Sequence, residues 1–75
     1  MSVFDLKKGD KAKITGCSVT GNAYLRLASL GIAVGEIINV LAFSLFKSSV
    51  LISCGAVRLA MRKSLAESIT VELCA

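Results

Sequence analysis

Ile37-Ile38-Asn39-Val40-Leu41-Ala42-Phe43-Ser44-Leu45-Phe46-Lys47-Ser48-Ser49-Val50-Leu51-Ile52-Ser53-Cys54-Gly55-Ala56-Val57 decides the fold. These 21 residues carry one charge, Lys47, and are long enough for a single bilayer-crossing helix. Lys47 sits near the centre, where a charge costs most, and Asn39, four serines and Gly55 dilute the run. Split at Lys47, the stretch becomes two runs of strand length, rich in Val and Ile. It therefore reads as a hairpin of strands over Ile37–Ser44 and Ser48–Cys54, and no membrane span is expected.

Further strands flank the hairpin. Cys54-Gly55-Ala56 permits a tight reversal into Val57–Arg62, where Val57, Leu59 and Met61 point inward and Arg58, Ala60 and Arg62 outward. Lys63–Glu67 reads as one helical turn, and Ser68–Leu73 as a strand with Ile69, Val71 and Leu73 on one face. Upstream, Lys11–Thr15 alternates like a half-buried strand and Gly16–Gly21 reads as a loop. Asn22 is expected to cap a helix over Ala23–Leu30 that presents Ala23, Leu27 and Leu30 to the core and ends at Gly31. Five short strands and one short helix predict an all-β fold, a small antiparallel β-barrel closed on itself so that few edges remain. With 75 residues and no linker or repeat, residues 1–75 are expected to form a single domain.

Composition narrows the chemistry. The chain is 55% hydrophobic, so it is not disordered. It has no histidine, which removes the commonest general base, the Ser/His and Cys/His pairs and the commonest metal ligand; no enzyme is expected. Cys17, Cys54 and Cys74 form no CxxC pair, and an odd, widely spaced set indicates reduced thiols and a cytoplasmic protein without a signal peptide. Gly16 to Gly21 has the glycine spacing of a phosphate loop but continues with Asn22 and Ala23 instead of Lys and Ser/Thr, so it is no nucleotide site. The five carboxylates, Asp5, Asp10, Glu36, Glu67 and Glu72, are scattered and read as solvated surface; no cofactor is expected beyond a weak divalent contact such as Fe(II). Nine basic residues against five acidic ones give +4, which favours an acidic partner. Tyr24, Phe4, Phe43 and Phe46 do not alternate with basic residues along a strand, as nucleic-acid stacking requires.

Phe43-Ser44-Leu45-Phe46 at the hairpin tip holds three large apolar side chains beside a turn, more than a small barrel can bury. Phe43, Leu45, Phe46 and Lys47, rimmed by Arg58 and Arg62, are the candidate partner surface, for another protein or for a second copy of this chain.

The order of signals resembles the FeoA family of small bacterial ferrous iron transport accessory proteins. The resemblance rests on Leu6-x-x-Gly9, Ala12-x-Ile14-x-Gly16, Arg26-Leu27-x-x-Leu30-Gly31-Ile32-x-x-Gly35-x-x-Ile38-x-Val40, Arg58-Leu59-Ala60-Met61-Arg62 and Ala66-x-x-Ile69-x-Val71. It implies an SH3-like β-barrel in the cytoplasm, peripheral at the inner face of the membrane. Its implied partner is the ferrous iron permease FeoB with its GTP-binding domain, and it implies no catalysis. Arg26, Leu27, Leu30, Gly31, Gly35, Ala66, Ile69 and Val71 stand at the family's structural positions. The chain departs from the family at the tip, where Ser44–Ser49 replaces a Gly-Asp-Pro-type turn. Two alternatives remain: a standalone regulatory module related to the SH3-like domain of iron-dependent repressors, and a nucleic-acid-binding barrel.

Overall fold

A computed structural model describes residues 1–19 and 21–74; Thr20, in the loop expected over Gly16–Gly21, and Ala75 lie outside them. Five antiparallel strands form one sheet: β1 Lys11–Cys17, β2 Ile37–Phe43, β3 Ser49–Cys54, β4 Val57–Arg62 and β5 Ile69–Leu73, in the order β4-β3-β2-β1-β5. Among the described residues two α-helices punctuate it, α1 Asn22–Ser29 and the five-residue α2 Lys63–Glu67. The sheet curls around its interior without closing, because no ladder joins β4 to β5. The chain passes between these two edges through α2, whose Ala66 is fully buried. The expected closed barrel is thus an open one, and its edges are handled separately. The outer side of β5 takes up Ser2, paired with Thr70, and the Met1 carbonyl, which accepts from the Val71 N–H at 2.8 Å.

The core follows from strand alternation. Ala12 and Ile14, Ile38 and Val40, Val50, Ile52 and Cys54, Met61, and Ile69 and Val71 all point inward and are buried. Val3, Leu6, Leu27, Ile32 and Ala66 join the same core from outside the strands. In β2 the pairing slips between Val40, opposite Ile52, and Ala42, opposite Leu51, so Leu41 is an extra residue. This bulge lets Val40 and Phe43, three apart, both face the interior. A second bulge at Thr15 carries β1 on through Gly16 and Cys17, opposite Thr70 and Ile69. These two residues, expected in a loop, are strand because β5 is long enough to pair them. Leu73 shares the face of Ile69 and Val71, as expected, since it lies opposite inward-facing Ala12, but at the end of β5 it is 51% exposed.

The helix α1 differs from its expected form. Gly21 occupies the N-cap with φ +67°, Asn22 is the first helical residue, and among the described residues no side chain caps the helix. Of the expected stripe only Leu27 is buried, with Tyr24 and Ala28 half-buried beside it, while Ala23 and Leu30 look outward. The C-terminus is firmer. Gly31 at φ +88° lets its own N–H reach the Ala28 carbonyl and the Ile32 N–H reach that of Leu27, both at 2.9 Å. Leu27 and Ile32 are both buried, the apolar pair that accompanies this Schellman ending. The Cys54 thiol donates to the Gly31 carbonyl at 3.4 Å, tying the helix end to β3, and burial pushes its pKa up. A thiol reagent at neutral pH is therefore expected to modify half-buried Cys17 and Cys74 well before Cys54. Mass spectrometry of the labelled peptides checks this; Cys54 labelled first would mean that the helix end does not cover it.

The N-terminal segment is held by a carboxylate. Asp5 ends a 3-10 turn over Val3–Asp5, and its Oδ2 accepts from the Ser2 N–H at 2.8 Å and the Ser2 hydroxyl at 3.2 Å. Asp10 Oδ2 similarly accepts from the Lys7 N–H at 2.8 Å, so two carboxylates expected as solvated charge organise local backbone. The Ser2 amide, then its hydroxyl, hold the Asp5 carboxyl below its ordinary 3.8. A pKa lowered on folding stabilises the fold above the unfolded value, and that contribution fades as pH falls through the folded one. Denaturant titrations should show Asp5→Asn less stable than the parent at neutral pH, with the two converging below pH 3.8. A constant difference down to the acid limit would assign the effect to something other than the carboxylate.

Candidate partner-binding site at the hairpin tip

The β2–β3 connection is built around Ser44. Its N–H donates to the Ser49 carbonyl at 3.0 Å, and its carbonyl accepts from the Lys47 N–H at 2.8 Å. Its Oγ accepts from the N–H groups of Ser48 and Ser49 at 3.1 and 2.9 Å and lies 3.1 Å from the Ser48 hydroxyl. One serine thus closes the turn. The backbone is pressed into the left-handed region at two consecutive non-glycine residues, Phe46 (φ +66°) and Lys47 (φ +54°). Such residues are uncommon and cost about 1–2 kcal/mol each, so the surrounding hydrogen bonds must enforce them. The result is a fixed display: Leu45 is 80% and Phe46 91% exposed.

Beneath the tip, Phe43 turns the other way. It is half-buried and meets Phe4 edge to face, with ring centroids 5.6 Å apart at 85°. Lys47 Nζ lies 4.7 Å from the Phe43 centroid and 5.7 Å from that of Phe4; Lys63 Nζ lies 5.6 Å from Phe4. Two ammonium groups over two rings form a cationic base under an apolar crest, each contact worth about 0.5–1 kcal/mol at an exposed site.

The candidate residues are therefore only partly brought together. Leu45, Phe46 and Lys47 share the tip, Phe43 supports it from below, and Arg62 stands beside it opposite Ser49. Arg58 pairs with Ser53, four residues along the strand and about 13 Å from the Arg62 end. Phe4, Lys63 and Ser44 belong to the site without having been singled out. Phe4 and Lys63 are distant in sequence from the hairpin, and only the pairing of strands places them there. Among the family-pattern positions, Leu27, Ala66, Ile69 and Val71 are buried, Gly31 and Gly35 hold positive φ, and Arg26 and Leu30 are exposed. Arg26 and Leu30 lie, with Ala23, Leu27, Leu59, Ala60 and Leu65, along a groove of about 330 Å³ between α1 and the β4–α2 corner. Among the described residues, no three His, Cys, Asp or Glu side chains gather to hold a metal ion. No described helix is long and apolar enough to cross a membrane.

A family model described as "FeoA domain" matches residues 1–73. Comparison with curated protein sequences gives no significant match. Among solved structures, the FeoA protein of Chlorobium tepidum is 33% identical with a TM-score of 0.94, over 100% of this chain and 71% of that one. The FeoA of Stenotrophomonas maltophilia, a prokaryotic SH3 domain protein complexed with zinc, is 25% identical with a TM-score of 0.80, over 96% and 89%. A manganese-dependent transcriptional repressor, 22% identical with a TM-score of 0.84, contains the same fold within a longer chain, 40% of which is covered.

Proposed function

This chain belongs to the FeoA family, with the SH3-like fold of that family, and from that premise we propose that it is a non-catalytic accessory protein of bacterial ferrous iron uptake. It works in the cytoplasm, at the inner face of the membrane, by docking on the GTP-binding region of the ferrous iron permease FeoB. The single observation that carries the docking surface is the fixed display of Leu45 and Phe46 on a left-handed turn above a cationic base. Exposed apolar side chains rimmed by charge favour a protein partner, and Lys47, Arg62 and Lys63 suit an acidic one. Binding of this kind acts by differential affinity for two states of the partner.

Calorimetry with the purified GTP-binding domain of the permease, at low and moderate salt, tests the reading. A complex that weakens with salt is expected; no complex at either salt overturns it. Sedimentation of this chain alone shows whether the tip pairs with a second copy instead, and a dimer abolished by a polar residue at position 46 would be that result.

A further inference from the structure

Among the described residues, the outer edge of β4 is unpaired: β4 ends the strand order, and β3 lies on its other side. Its register identifies the groups left free. Cys54 lies opposite Val57 across the two-residue turn Gly55-Ala56, and Lys63 N–H donates to the Ser48 carbonyl at 3.0 Å. Between those fixed points antiparallel pairs alternate, so Leu59 and Met61 bond to β3 while the backbone N–H and C=O of Arg58, Ala60 and Arg62 point away from the sheet. The side chains of these three are exposed on the outer face. On the inner face, half-buried Leu59 opens onto the groove of about 330 Å³ shared with Leu27, Leu30 and Leu65, whose one charged lining residue among the described residues is Arg26.

We propose that this edge and groove bind an extended segment of a partner protein in which apolar and acidic residues alternate, adding it as a sixth strand beside β4. The outward backbone groups of Arg58, Ala60 and Arg62 supply the ladder. Apolar residues, at every second position, pack against Leu59 and its neighbours in the groove. The intervening Asp or Glu residues stand beside Arg58 and Arg62. Charge selects this occupant over a second copy. Antiparallel pairing of two β4 strands about Ala60 would set Arg58 of one copy opposite Arg62 of the other, and like charges directly opposite are destabilising. Exposed arginines on an edge strand thus repel self-pairing and admit an acidic strand. The surface shares Arg62 with the rim of the hairpin tip but not Leu45 or Phe46, and the proposal stands whether or not the tip binds FeoB.

The probe is a capped peptide of about seven residues alternating Glu and Val, titrated into the isotopically labelled protein and followed by amide resonances. Shifts are expected at Arg58, Ala60 and Arg62 and at the methyls of Leu59 and Leu65. Arg58→Glu with Arg62→Glu should weaken binding about tenfold or more and favour the peptide with Lys in place of Glu. Ala60→Pro removes one outward N–H and no bond to β3, so the fold is retained and affinity falls about tenfold. Phe46→Ser should leave the peptide affinity unchanged, which separates this surface from the tip. Equal binding of the Lys peptide, shifts confined to other strands, or no binding up to about 1 mM peptide would overturn the proposal. So would concentration-dependent dimerisation that protects the Ala60 amide.

Discussion

Replacing Ile52 by Ala is expected to remove a large part of the stability of this protein. Ile52 is 0% exposed at the centre of β3, with Val40 opposite on one side and Leu59 on the other. Truncating a fully buried isoleucine costs about 2–5 kcal/mol, the transfer term plus that of the cavity left behind. A domain of 75 residues holds about 4–11 kcal/mol in all. The upper half of the first range therefore reaches the lower half of the second, and a substantial unfolded population at physiological temperature follows. Urea denaturation followed by circular dichroism measures it, with Ile52→Val as the control at about 0.5–1.5 kcal/mol. A loss below about 1 kcal/mol for Ile52→Ala would mean that the sheet does not pack around this residue.

The second large effect concerns binding, and its sign is opposite to that on stability. Phe46 contributes almost nothing to the core at 91% exposure, and its backbone sits at φ +66°. Phe46→Gly should therefore stabilise the fold by about 0.5–1 kcal/mol, since glycine adopts that conformation without the steric cost, less what it adds to the freedom of the unfolded chain. The same change should weaken the complex with the permease's GTP-binding domain about tenfold or more, because an aromatic anchor carries a disproportionate share of interface energy. Denaturation and calorimetry on one variant give both numbers. Higher stability with unchanged affinity would move the docking surface off the tip. Lower stability would show that Phe46 packs within the folded chain.

Most of the fold was legible in the sequence. Val and Ile on alternate positions fixed the hairpin of β2 and β3, Gly55 marked the tight turn, and the alternation through Val57, Leu59 and Met61 gave β4. Gly55 at φ +60° heads a two-residue turn of the kind such hairpins prefer. What failed shares a cause. The burial of Ala23 and Leu30 and the closure of the barrel both depend on which element lies opposite, and local spacing does not encode that. Gly16 and Cys17 became strand because β5 reaches them across a bulge. At the site, the exposure of Leu45 and Phe46 was visible in the surplus of apolar residues at a turn. The aromatic support from Phe4, with Lys63 above it, was not, because 39 positions separate Phe4 from Phe43 and only the folded sheet joins them.

Leu41 has no counterpart on β3, and this one surplus residue governs where the crest of the hairpin is aimed. Were Leu41 drawn into regular pairing instead of bulging out, everything beyond it would slip by one and change sides: Phe43 would leave its place against Phe4, and Phe46 would swing toward a different quarter of the surface. A bulge within a single strand is thereby a determinant of recognition, without that residue ever meeting the partner.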